Sequence, residues 1–439
     1  MILPQNGLIA QLVRARDSYP LGRQFDSASG HHCSPHYSYT YHIFPWLLTV
    51  LSFFSLNLHA SELSPYSFIA KKSLEDNIVT LSSGPYLRAG AHHFGGLWTR
   101  DFCFSIEGLL KLGHAPLVKN HLEKLILARR RSDNLVPRSL DSIPTVTRVL
   151  LENILRTSPK LHDPLKPEFK GEHGTLAIDS NLLVLRGVLL YFKATGDRFF
   201  QDVYGPELRG LLDFYRPFIK NGLIVQPKFS DWQDSVARNT ATFLTNFLFW
   251  ETSLELKRQF NFELSQQELD SLKALLWKTF YLQRAGLFRS LPKQEQLSLD
   301  GNLFALLRAD FWRTTEERAH FYQRLKRSPL WKNFGLATVP NYPPGQKSWT
   351  TKMVGLVHYH DQMLWSWLQG LCLKVAKLFH DTAEVRQLEA RLNTILMRDL
   401  AVQEIYTPAT SLPFKKAFYR SENPFSWGAA FIVDAGLMK

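Results

Sequence analysis

The strongest constraint on the fold is a repeated amphipathic helical pattern that starts after residue 60. Apolar residues recur at positions i, i+3, i+4 and i+7, which is the spacing of one face of an α-helix. The clearest segments are residues 106–131, 180–196, 206–222, 242–260 and 362–381. Alternating strand patterns are scarce, and polar loops with Gly or Pro separate the helical segments. The sequence therefore predicts an all-α protein.

The number of helices predicts how they are arranged. No motif recurs at a constant period, which argues against a solenoid of self-similar repeats. Residues 61–439 hold about twelve helices if each helix with its loop takes roughly 30 residues. Twelve helices in two concentric rings make an (α/α)6 toroid. We expect residues 61–439 to form this toroid as a single domain.

Composition and charge exclude several classes of protein. Of the 439 residues 45% are hydrophobic and 21% are charged, which excludes a disordered chain, a collagen and a multi-span membrane protein. The net charge of +13 suggests nucleic acid as a partner. The basic residues are scattered, however, and no nucleic-acid-binding motif accompanies their densest run at residues 129–131. We therefore predict a solvated basic face and no nucleic-acid partner.

The first 60 residues predict export. Residues 43–58 are an uncharged apolar run with the length of a signal-peptide core, and Ala60 is a small residue at the expected cleavage point. The polar stretch before the run resembles the translation of a tRNA gene read on the wrong strand, which predicts a start site farther downstream. We expect a periplasmic or secreted protein that meets a membrane only during export. The alternative is a disordered tail before a membrane anchor.

Cysteine spacing predicts no metal site. The three cysteines, Cys33, Cys103 and Cys372, form no CxxC motif, so neither a zinc site nor a disulfide framework is expected. Cys103 and Cys372 either pair in an oxidising compartment or remain as buried thiols. We predict no metal ion and no other cofactor, and the sequence does not indicate the oligomeric state.

The first group of candidate functional residues stands at the start of a long helix. Trp98, Arg100 and Asp101 occur together in the segment GGLWTRDF. An aromatic face beside an arginine fork and a carboxylate is suited to hold a sugar ring through stacking and hydroxyl hydrogen bonds. The aromatic content of 13% agrees with sugar binding or with a large core. Alternatively, Asp101 is an ordinary acidic residue in the first turn of a helix.

Two more groups lie in loops between helices. Asp179 opens an apolar helix, where N-capping is the alternative explanation. The segment FSDWQDSVAR contains Asp231, Trp232, Asp234 and Arg238. The segment has two carboxylates that flank a tryptophan and an arginine four residues after the second one. A simple turn does not need so many functional groups. These residues are therefore candidates for sugar binding and acid catalysis.

The remaining candidates lie toward the C-terminus. His360 and Trp365 belong to the segment YHDQMLWSWLQG, at residues 359–370. Glu404 occurs in the short segment QEIY between two helices, where a carboxylate has no packing function. A solvated surface glutamate is the alternative for Glu404.

Seven motifs together resemble those of the six-hairpin glycosidases. WTRDF, AIDSNLL, DWQDSVAR, LDGNLFALL, YHDQMLWSWLQG, QEIY and SENPFSWGAA occur in the order of that superfamily's landmark motifs, across residues 85–435. The chain is most similar to alkaline/neutral invertases and to the glucosidase module of glycogen-debranching proteins. More distantly it resembles trehalase and processing α-glucosidase I. The resemblance implies an (α/α)6 toroid and an inverting glycoside hydrolase that acts on α-glucosidic bonds of oligosaccharides or disaccharides.

The resemblance also implies the functions of individual residues. Asp234 corresponds to the general acid and Glu404 to the general base, while Arg100, Asp101 and Asp179 correspond to ligands of the ring hydroxyls. Two departures change the walls of the sugar site and argue against sucrose specificity: Asn181-Leu182-Leu183-Val184 replaces Gly-Leu-Trp-Trp, and Ser235-Val236 replaces a double arginine. Asp179 stays open as an alternative acid.

Other functions remain possible on the same fold. An inverting glycosidase needs a protonated carboxyl and a carboxylate about 6.5–9.5 Å apart, which loops at one end of a toroid can provide. A polysaccharide lyase would need a Tyr or His base, for which His358 and Tyr359 are candidates, and phosphorolytic enzymes share such toroids. A non-catalytic glycan-binding protein is the third hypothesis, since the walls of the sugar site are altered.

Overall fold

A computed structural model describes residues 63–171 and 173–438 of the chain. The apolar run at residues 43–58, Ala60 and Cys33 lie outside the described residues, so the predictions made from them stay predictions. Within the described residues no helix is long and apolar enough to cross a membrane.

Helices dominate the described chain. Fifteen α-helices are present in residues 63–171 and 173–438, and twelve of them have nine residues or more. The twelve are α1 (Pro65–Glu75), α2 (Thr99–Lys111), α3 (Ala115–Leu127), α4 (Ser180–Thr195), α5 (Phe199–Asp213), α6 (Phe243–Phe260), α7 (Gln266–Phe280), α8 (Leu299–Leu307), α9 (Thr315–Arg327), α10 (Ser366–Leu378), α11 (Thr382–Asp399) and α12 (Ser426–Gly436). The three short helices are Thr145–Leu150, Pro329–Lys332 and Trp349–Met353.

The six even-numbered helices form a closed inner ring. Along the ring α2 contacts α4, α4 contacts α6, and the sequence continues through α8, α10 and α12 back to α2. Inner helices are buried on most sides; every residue of α12 from Ser426 to Ala435 is buried. Each odd-numbered helix packs outside a neighbouring inner helix. The predicted (α/α)6 toroid is confirmed.

Outer helices are amphipathic, as their position requires. In α11 the buried residues are Leu388, Leu392, Ile395 and Leu396, which lie on one helical face. Most of the other residues of that helix are polar, and many of them are exposed. One-sided burial therefore marks α11 as an outer helix, whereas α12 of the inner ring is buried along nearly its whole length.

Two helical segments are shorter than the sequence pattern predicts. Residues 106–131 are divided between α2 and α3, because Gly113 adopts a left-handed φ of +84° and Pro116 stands in the first turn of α3. The helix predicted over residues 206–222 is wrong beyond Asp213, where α5 ends. An Asn221-Gly222 turn then closes a small hairpin, since both residues adopt positive φ.

Short antiparallel strand pairs connect the loops. The strands are β1 (Ile78–Leu81), β2 (Gly84–Leu87), β3 (Leu97–Trp98), β4 (Ser139–Asp141), β5 (Lys166–Glu168), β6 (Ile219–Lys220), β7 (Leu223–Ile224), β8 (Tyr281–Leu282), β9 (Leu287–Phe288), β10 (Leu297–Ser298), β11 (Thr338–Val339), β12 (Leu364–Trp365), β13 (Ile405–Tyr406), β14 (Lys415–Lys416) and β15 (Tyr419–Arg420). Several of them directly precede an inner helix: β3 precedes α2, β10 precedes α8 and β12 precedes α10. The strand pairs therefore fix the loops at the N-terminal ends of the inner ring.

Candidate active site

An arginine at the start of α2 joins carboxylates from two other loops. The Arg100 Nε donates to Asp179 Oδ2 at 2.8 Å, and its Nη2 donates to Asp179 Oδ1 at 3.2 Å. Its Nη1 donates to Asp234 Oδ2 at 3.2 Å. The side chain of Asp234 is 41% exposed, whereas those of Arg100 and Asp179 are 14% and 8% exposed. Candidate residues from three distant segments thus meet; we name Arg100, Asp101, Asp179 and Asp234 the Arg100 cluster.

Asp179 does not serve as a helix cap. Asp179 occupies the N-cap position of α4, but its side chain makes no capping hydrogen bond. The capping explanation is therefore wrong for Asp179, since its carboxylate binds Arg100 instead. Burial raises the pKa of Asp179, although the Arg100 cation opposes this.

Asp101 is a member of the Arg100 cluster whose pKa is strongly raised. It is buried in the first turn of α2, and burial raises its pKa to about 7 against the opposing charge of Arg100. The negative charges of Asp234 and Glu422 raise this pKa further. A carboxyl that titrates near neutral pH is unusual in a purely structural position and is typical of a functional site.

The loop before Asp234 is fixed by a buried ion pair. The Asp231 carboxylate accepts hydrogen bonds from the Arg238 guanidinium and, at 2.7 Å, from Gln226 Nε2. The indole Nε1 of Trp232 donates to the Asp300 carboxylate. Asp231, Trp232 and Arg238 are all nearly inaccessible, at 4%, 3% and 2% exposure. These contacts position the loop, while direct sugar binding by the three residues remains a prediction.

Aromatic residues connect the Asp234 loop to the segment before α10. The His360 ring is stacked on the Trp365 ring at a centroid distance of 5.2 Å, and Trp232 meets both rings edge-on. His360 Nδ1 lies 2.6 Å from the hydroxyl oxygen of Ser235, the residue after Asp234. Burial, together with nearby arginines, lowers the pKa of His360 well below its usual value. His360 is therefore a neutral hydrogen-bonding partner of the loop.

Trp98 lies beside the Arg100 cluster at the end of β3. Its ring is 8% exposed and carries the Arg138 guanidinium above it, 4.6 Å from the ring centroid. The Phe94 ring meets it edge-on at 5.3 Å. The pairing of Trp98 with Ser139 in the β3–β4 ladder holds this indole next to the start of α2.

A second acidic centre surrounds Glu404. The carboxyl group of Glu404 accepts hydrogen bonds from the hydroxyls of Tyr359 and Tyr419, and the backbone N–H of Glu422 lies 3.4 Å from Oε2. Glu404 is 1% exposed, so the surface-glutamate alternative is wrong. Burial raises its pKa to about 8, the charge of Glu422 raises it further and the tyrosine hydroxyls oppose the shift. We name Glu404, Tyr359, Tyr419 and Glu422 the Glu404 cluster.

Glu422 is ionised although it is fully buried. Burial raises its pKa, but His93, His92 and the backbone N–H of Phe94 outweigh burial and lower the pKa to about 2. The backbone N–H groups of His92 and Phe94 donate to its two carboxylate oxygens at 2.7 and 3.0 Å. Sequence analysis assigned no function to Tyr419 or to Glu422. Only the SEN motif before α12 marked Glu422, and nothing in the sequence marked Tyr419.

The two clusters share one set of neighbours. The ring of Tyr359 lies 4.5 Å from the His360 ring and 4.8 Å from the Trp365 ring, so the aromatic residues that contact the Asp234 loop also contact the Glu404 cluster. The β12–β13 pair, with Trp365 opposite Ile405, holds these segments together. The arrangement offers carboxyl groups in contrasting environments: hydrogen-bonded to a cation in one cluster and to neutral hydroxyls in the other.

The other titratable groups add no metal centre. Within residues 63–171 and 173–438, no group of three or more His, Cys, Asp or Glu side chains could hold a metal ion. Cys103 and Cys372 are both buried free thiols. Of the two alternatives for these cysteines, the structure therefore has the buried thiols.

Comparisons with known proteins identify the fold. No protein-family model matches the sequence, and no curated protein matches it either. A structure described as a glycosidase has a TM-score of 0.61 at 11% identity and covers 86% of this chain and 98% of its own. GH63 mannosylglycerate hydrolase from Thermus thermophilus, with Tris and D-glycerate, has a TM-score of 0.56 at 12% identity and covers 84% of this chain and 99% of its own.

A third similar structure is the rhamnosidase from Klebsiella oxytoca with rhamnose bound. Its TM-score is 0.56 at 15% identity, with 86% of this chain covered. This chain spans 64% of the rhamnosidase, less than two thirds of its length. At such identities the likeness shows the fold, and the predicted six-hairpin glycosidase fold is confirmed.

Proposed function

We propose that this protein is an exported, inverting glycoside hydrolase that cleaves α-glucosidic bonds in oligosaccharides or disaccharides. The observation that carries the proposal is the meeting of two acidic clusters around shared aromatic residues, in a fold whose structural neighbours include glycosidases. Asp234 acts as the general acid and Glu404 as the general base. Arg100, Asp101 and Asp179 hold hydroxyl groups of the sugar ring.

Glycosidic hydrolysis by inversion needs these two functions. The acid delivers a proton to the leaving oxygen while the base takes a proton from the water that attacks the opposite face. Asp234 is suited to the first step because its side chain is the most exposed of the carboxylates bound to Arg100. Glu404 is suited to the second step once ionised, because two hydroxyl donors orient its carboxylate.

Asp179 is the competing candidate for the acid. Its raised pKa favours the protonated form that an acid needs, whereas its two hydrogen bonds to Arg100 favour a binding function. Replacement of each residue by Asn separates the two. The acid variant should lose most activity on substrates with poor leaving groups and retain much more on a glycosyl fluoride, which departs without a proton.

The reaction itself is tested with a substrate panel. Purified protein is incubated with α- and β-linked disaccharides and oligosaccharides, and new reducing ends are followed together with the anomeric form of the first product. The proposal expects hydrolysis of α-linked glucosides with inversion. Retention of configuration, or an ultraviolet-absorbing unsaturated product, would contradict it.

A non-catalytic glycan-binding protein is the second candidate function. The 1% exposure of Glu404 and its pKa of about 8 favour it, because a buried protonated carboxyl is a poor base at neutral pH. Glycan binding without release of reducing ends across pH 6–9 would select this candidate. The lyase hypothesis has no comparable support, since burial raises the pKa of the Tyr359 hydroxyl well above its usual value.

Export is tested at the amino terminus. We expect mass spectrometry of the protein from its native host to find a mature chain that begins near Ser61. A cytoplasmic protein that retains residue 1 would overturn this part of the proposal.

A further inference from the structure

A cavity of about 260 Å³ lies at the end of the inner ring that is opposite the Arg100 cluster. Its walls come from the middle and C-terminal turns of α2, α4, α6 and α10, from the end of α8 and from Met438. The Arg100 cluster instead stands at the N-terminal ends of α2 and α4. Lys193 lines the cavity and is exposed, so the cavity opens to solvent. The cavity is therefore separate from the candidate active site.

The charged groups of the cavity wall balance one another. Three acids and three bases line it: Glu107, Glu251, Glu255, Arg186, Arg308 and Lys374. Glu107 pairs with Lys374 at 3.2 Å, and Glu255 pairs with Arg308 at 2.7 Å. A bound ion would add a charge that has no partner in a partly buried place, which is unfavourable. The cavity is therefore suited to a neutral ligand.

Arg186 is held loosely between two carboxylates of this wall. Its Nη2 lies 3.6 Å from Glu107 Oε2, and its Nε lies 3.5 Å from Glu251 Oε2. Charge-assisted hydrogen bonds are about 2.7–2.9 Å long, so both contacts are ion pairs without a full hydrogen bond. The side chain of Arg186 is 12% exposed and lines the cavity. Its N–H groups can therefore donate to oxygen atoms of a ligand there.

Helix α6 contributes acceptors to the same wall. Glu251 Oε2, Thr252 Oγ1 and Gln259 Oε1 belong to side chains that line the cavity, and none of these atoms has a hydrogen-bond partner among the described residues. Thr252 is only 1% exposed. Buried polar atoms are almost always paired in native proteins. These three atoms therefore indicate a partner that carries hydrogen-bond donors.

We propose that this cavity binds a neutral polyhydroxyl molecule of monosaccharide size. Hydroxyl groups accept from an arginine, donate to acceptors such as those of α6 and bring no charge. The lining also includes the apolar side chains of Leu189, Leu307 and Leu378, against which the C–H groups of a sugar can pack. Drug-sized ligands occupy pockets of about 300–1,000 Å³, so a cavity of about 260 Å³ fits a smaller molecule. The inference goes beyond the proposed glycosidase function and does not depend on it.

Calorimetric titration of the full chain with D-glucose, D-galactose and D-mannose tests the inference. The variants are Arg186→Gln, which removes the charged donor, and Gln259→Ala, a milder change in the wall. Their controls are Arg129→Gln and Gln266→Ala, since neither residue lines the cavity and Arg129 is similarly buried, at 17% exposure, beside Glu207.

We expect at least one of the three sugars to bind wild type and both controls. Arg186→Gln should weaken that binding roughly 10- to 100-fold and Gln259→Ala several-fold, because each removes a hydrogen-bonding group of the wall. Absence of saturable binding by all three sugars would overturn the inference, since the cavity would then hold water only. Equal weakening in Arg186→Gln and Arg129→Gln would overturn it as well.

Charged counterparts of the sugars test the neutral character of the ligand. At pH 6 the uronate and the amino sugar that correspond to the bound monosaccharide should bind at least roughly ten-fold more weakly, because each adds an unpaired charge to a balanced wall. Equal or tighter binding of either one would overturn the assignment of a neutral ligand.

Asp179→Asn separates the cavity from the candidate active site. Binding in the cavity should be unchanged in Asp179→Asn, because this residue belongs to the opposite end of the inner ring. Sugar binding that is lost in Asp179→Asn and unchanged in Arg186→Gln would belong to the candidate active site and would overturn the inference. Hydrolysis of the substrate panel is measured separately, so a failure of the glycosidase proposal and a failure of this inference are distinguishable.

Discussion

Asp101 and Glu107 lie six residues apart on helix α2, yet their pKa values are shifted from the usual range in opposite directions. Burial raises the pKa of Asp101 to about 7. Burial also raises the pKa of Glu107, but neighbouring cations outweigh it and lower the value to about 2. One helix therefore carries a carboxyl poised near neutral pH at its start and a firmly ionised one toward its end.

The neighbours of each residue explain the difference. Glu107 lies 3.2 Å from the Lys374 ammonium and 3.6 Å from the Arg186 guanidinium, and Lys374 also pairs with Asp434 at 2.7 Å. These ion pairs join α2, α4, α10 and α12 by matched charges. At the start of α2 the carboxylates of Asp179 and Asp234 share one arginine, and the charge of Glu422 adds to the imbalance. The loss of one partner from a buried ion pair destabilises a fold, whereas a buried acid with too few cations is typical of a functional site.

The largest expected effect separates the two regions by activity. Glu404→Gln should lower kcat about 100- to 10,000-fold on every hydrolysed substrate, because attack by water needs the base whatever group leaves. The matched control is Glu107→Gln, which makes the same change in the ion-pair region and should retain kcat per folded molecule. Steady-state kinetics on folded protein measure both. Equal losses of kcat in the two variants would show that the two regions do not differ in their importance for catalysis.

The second effect concerns stability, for which we expect Glu107→Gln to be affected more strongly than Glu404→Gln. Glu107→Gln should lower the free energy of unfolding by roughly 1–3 kcal/mol, since Lys374 and Arg186 lose a charged partner in a partly buried place. Glu404→Gln should cost less, because the amide oxygen can still accept from one tyrosine hydroxyl while the amide NH2 donates to the oxygen of the other. Urea unfolding of both variants and wild type measures the difference. A more stable Glu107→Gln protein would show that the ion pairs serve another purpose.

The third effect concerns the pH dependence of activity. The base acts only when ionised, so wild-type activity should rise with pH until the pKa of Glu404, about 8, is passed. Tyr359→Phe removes a donor that stabilises the carboxylate and should move this limb up by roughly one pH unit. Tyr66→Phe is the matched control, because Tyr66 donates to Glu389 at 2.8 Å, a pair on helices α1 and α11. If the rise of activity with pH shifts equally in both variants, ionisation of Glu404 is not its cause.

The fourth effect concerns the pH dependence of stability. The folded protein binds the Glu404 proton more tightly than the unfolded chain, so this residue's contribution is complete below pH 4.5 and is lost as the pH rises toward 8. Glu404→Gln should therefore unfold with a shallower loss of stability between pH 5 and 8, by roughly 3 kcal/mol. Urea unfolding at the two pH values tests this. A steeper loss in the variant would reverse the assigned sign.

The predictions from sequence succeeded for features that depend on the local spacing of residues. Residues 180–196 and 242–260 carry a clear helical period, and α4 and α6 occupy nearly the same ranges. Grouping Arg100, Asp179 and Asp234 as candidates anticipated residues that the structure joins by hydrogen bonds. The break at Gly113 was missed, because apolar residues continue with the same period on both sides of it.

Other features depend on contacts between distant segments. Sequence analysis placed Glu404 in a short loop between two helices, with a solvated surface glutamate as the alternative, and did not predict that it is buried against Tyr359 and Tyr419. Asp231 and Arg238 were grouped with sugar-binding residues, but their mutual ion pair is buried and fixes the loop. Hydropathy and motif order do not encode which residue meets a given carboxyl, since those partners come from other parts of the chain.

The sequence alone determined the helical period, the approximate number of helices and the set of polar residues at the helix starts, because these follow from local spacing and residue type. Only the tertiary structure decided which carboxyls share an arginine, which is enclosed by tyrosines and which charged groups line the cavity. The pKa of an acid depends on its burial and on charges within a few ångströms. Closure of the inner ring sets those distances, bringing residues such as Arg100 and Asp234, more than a hundred positions apart, within hydrogen-bonding reach.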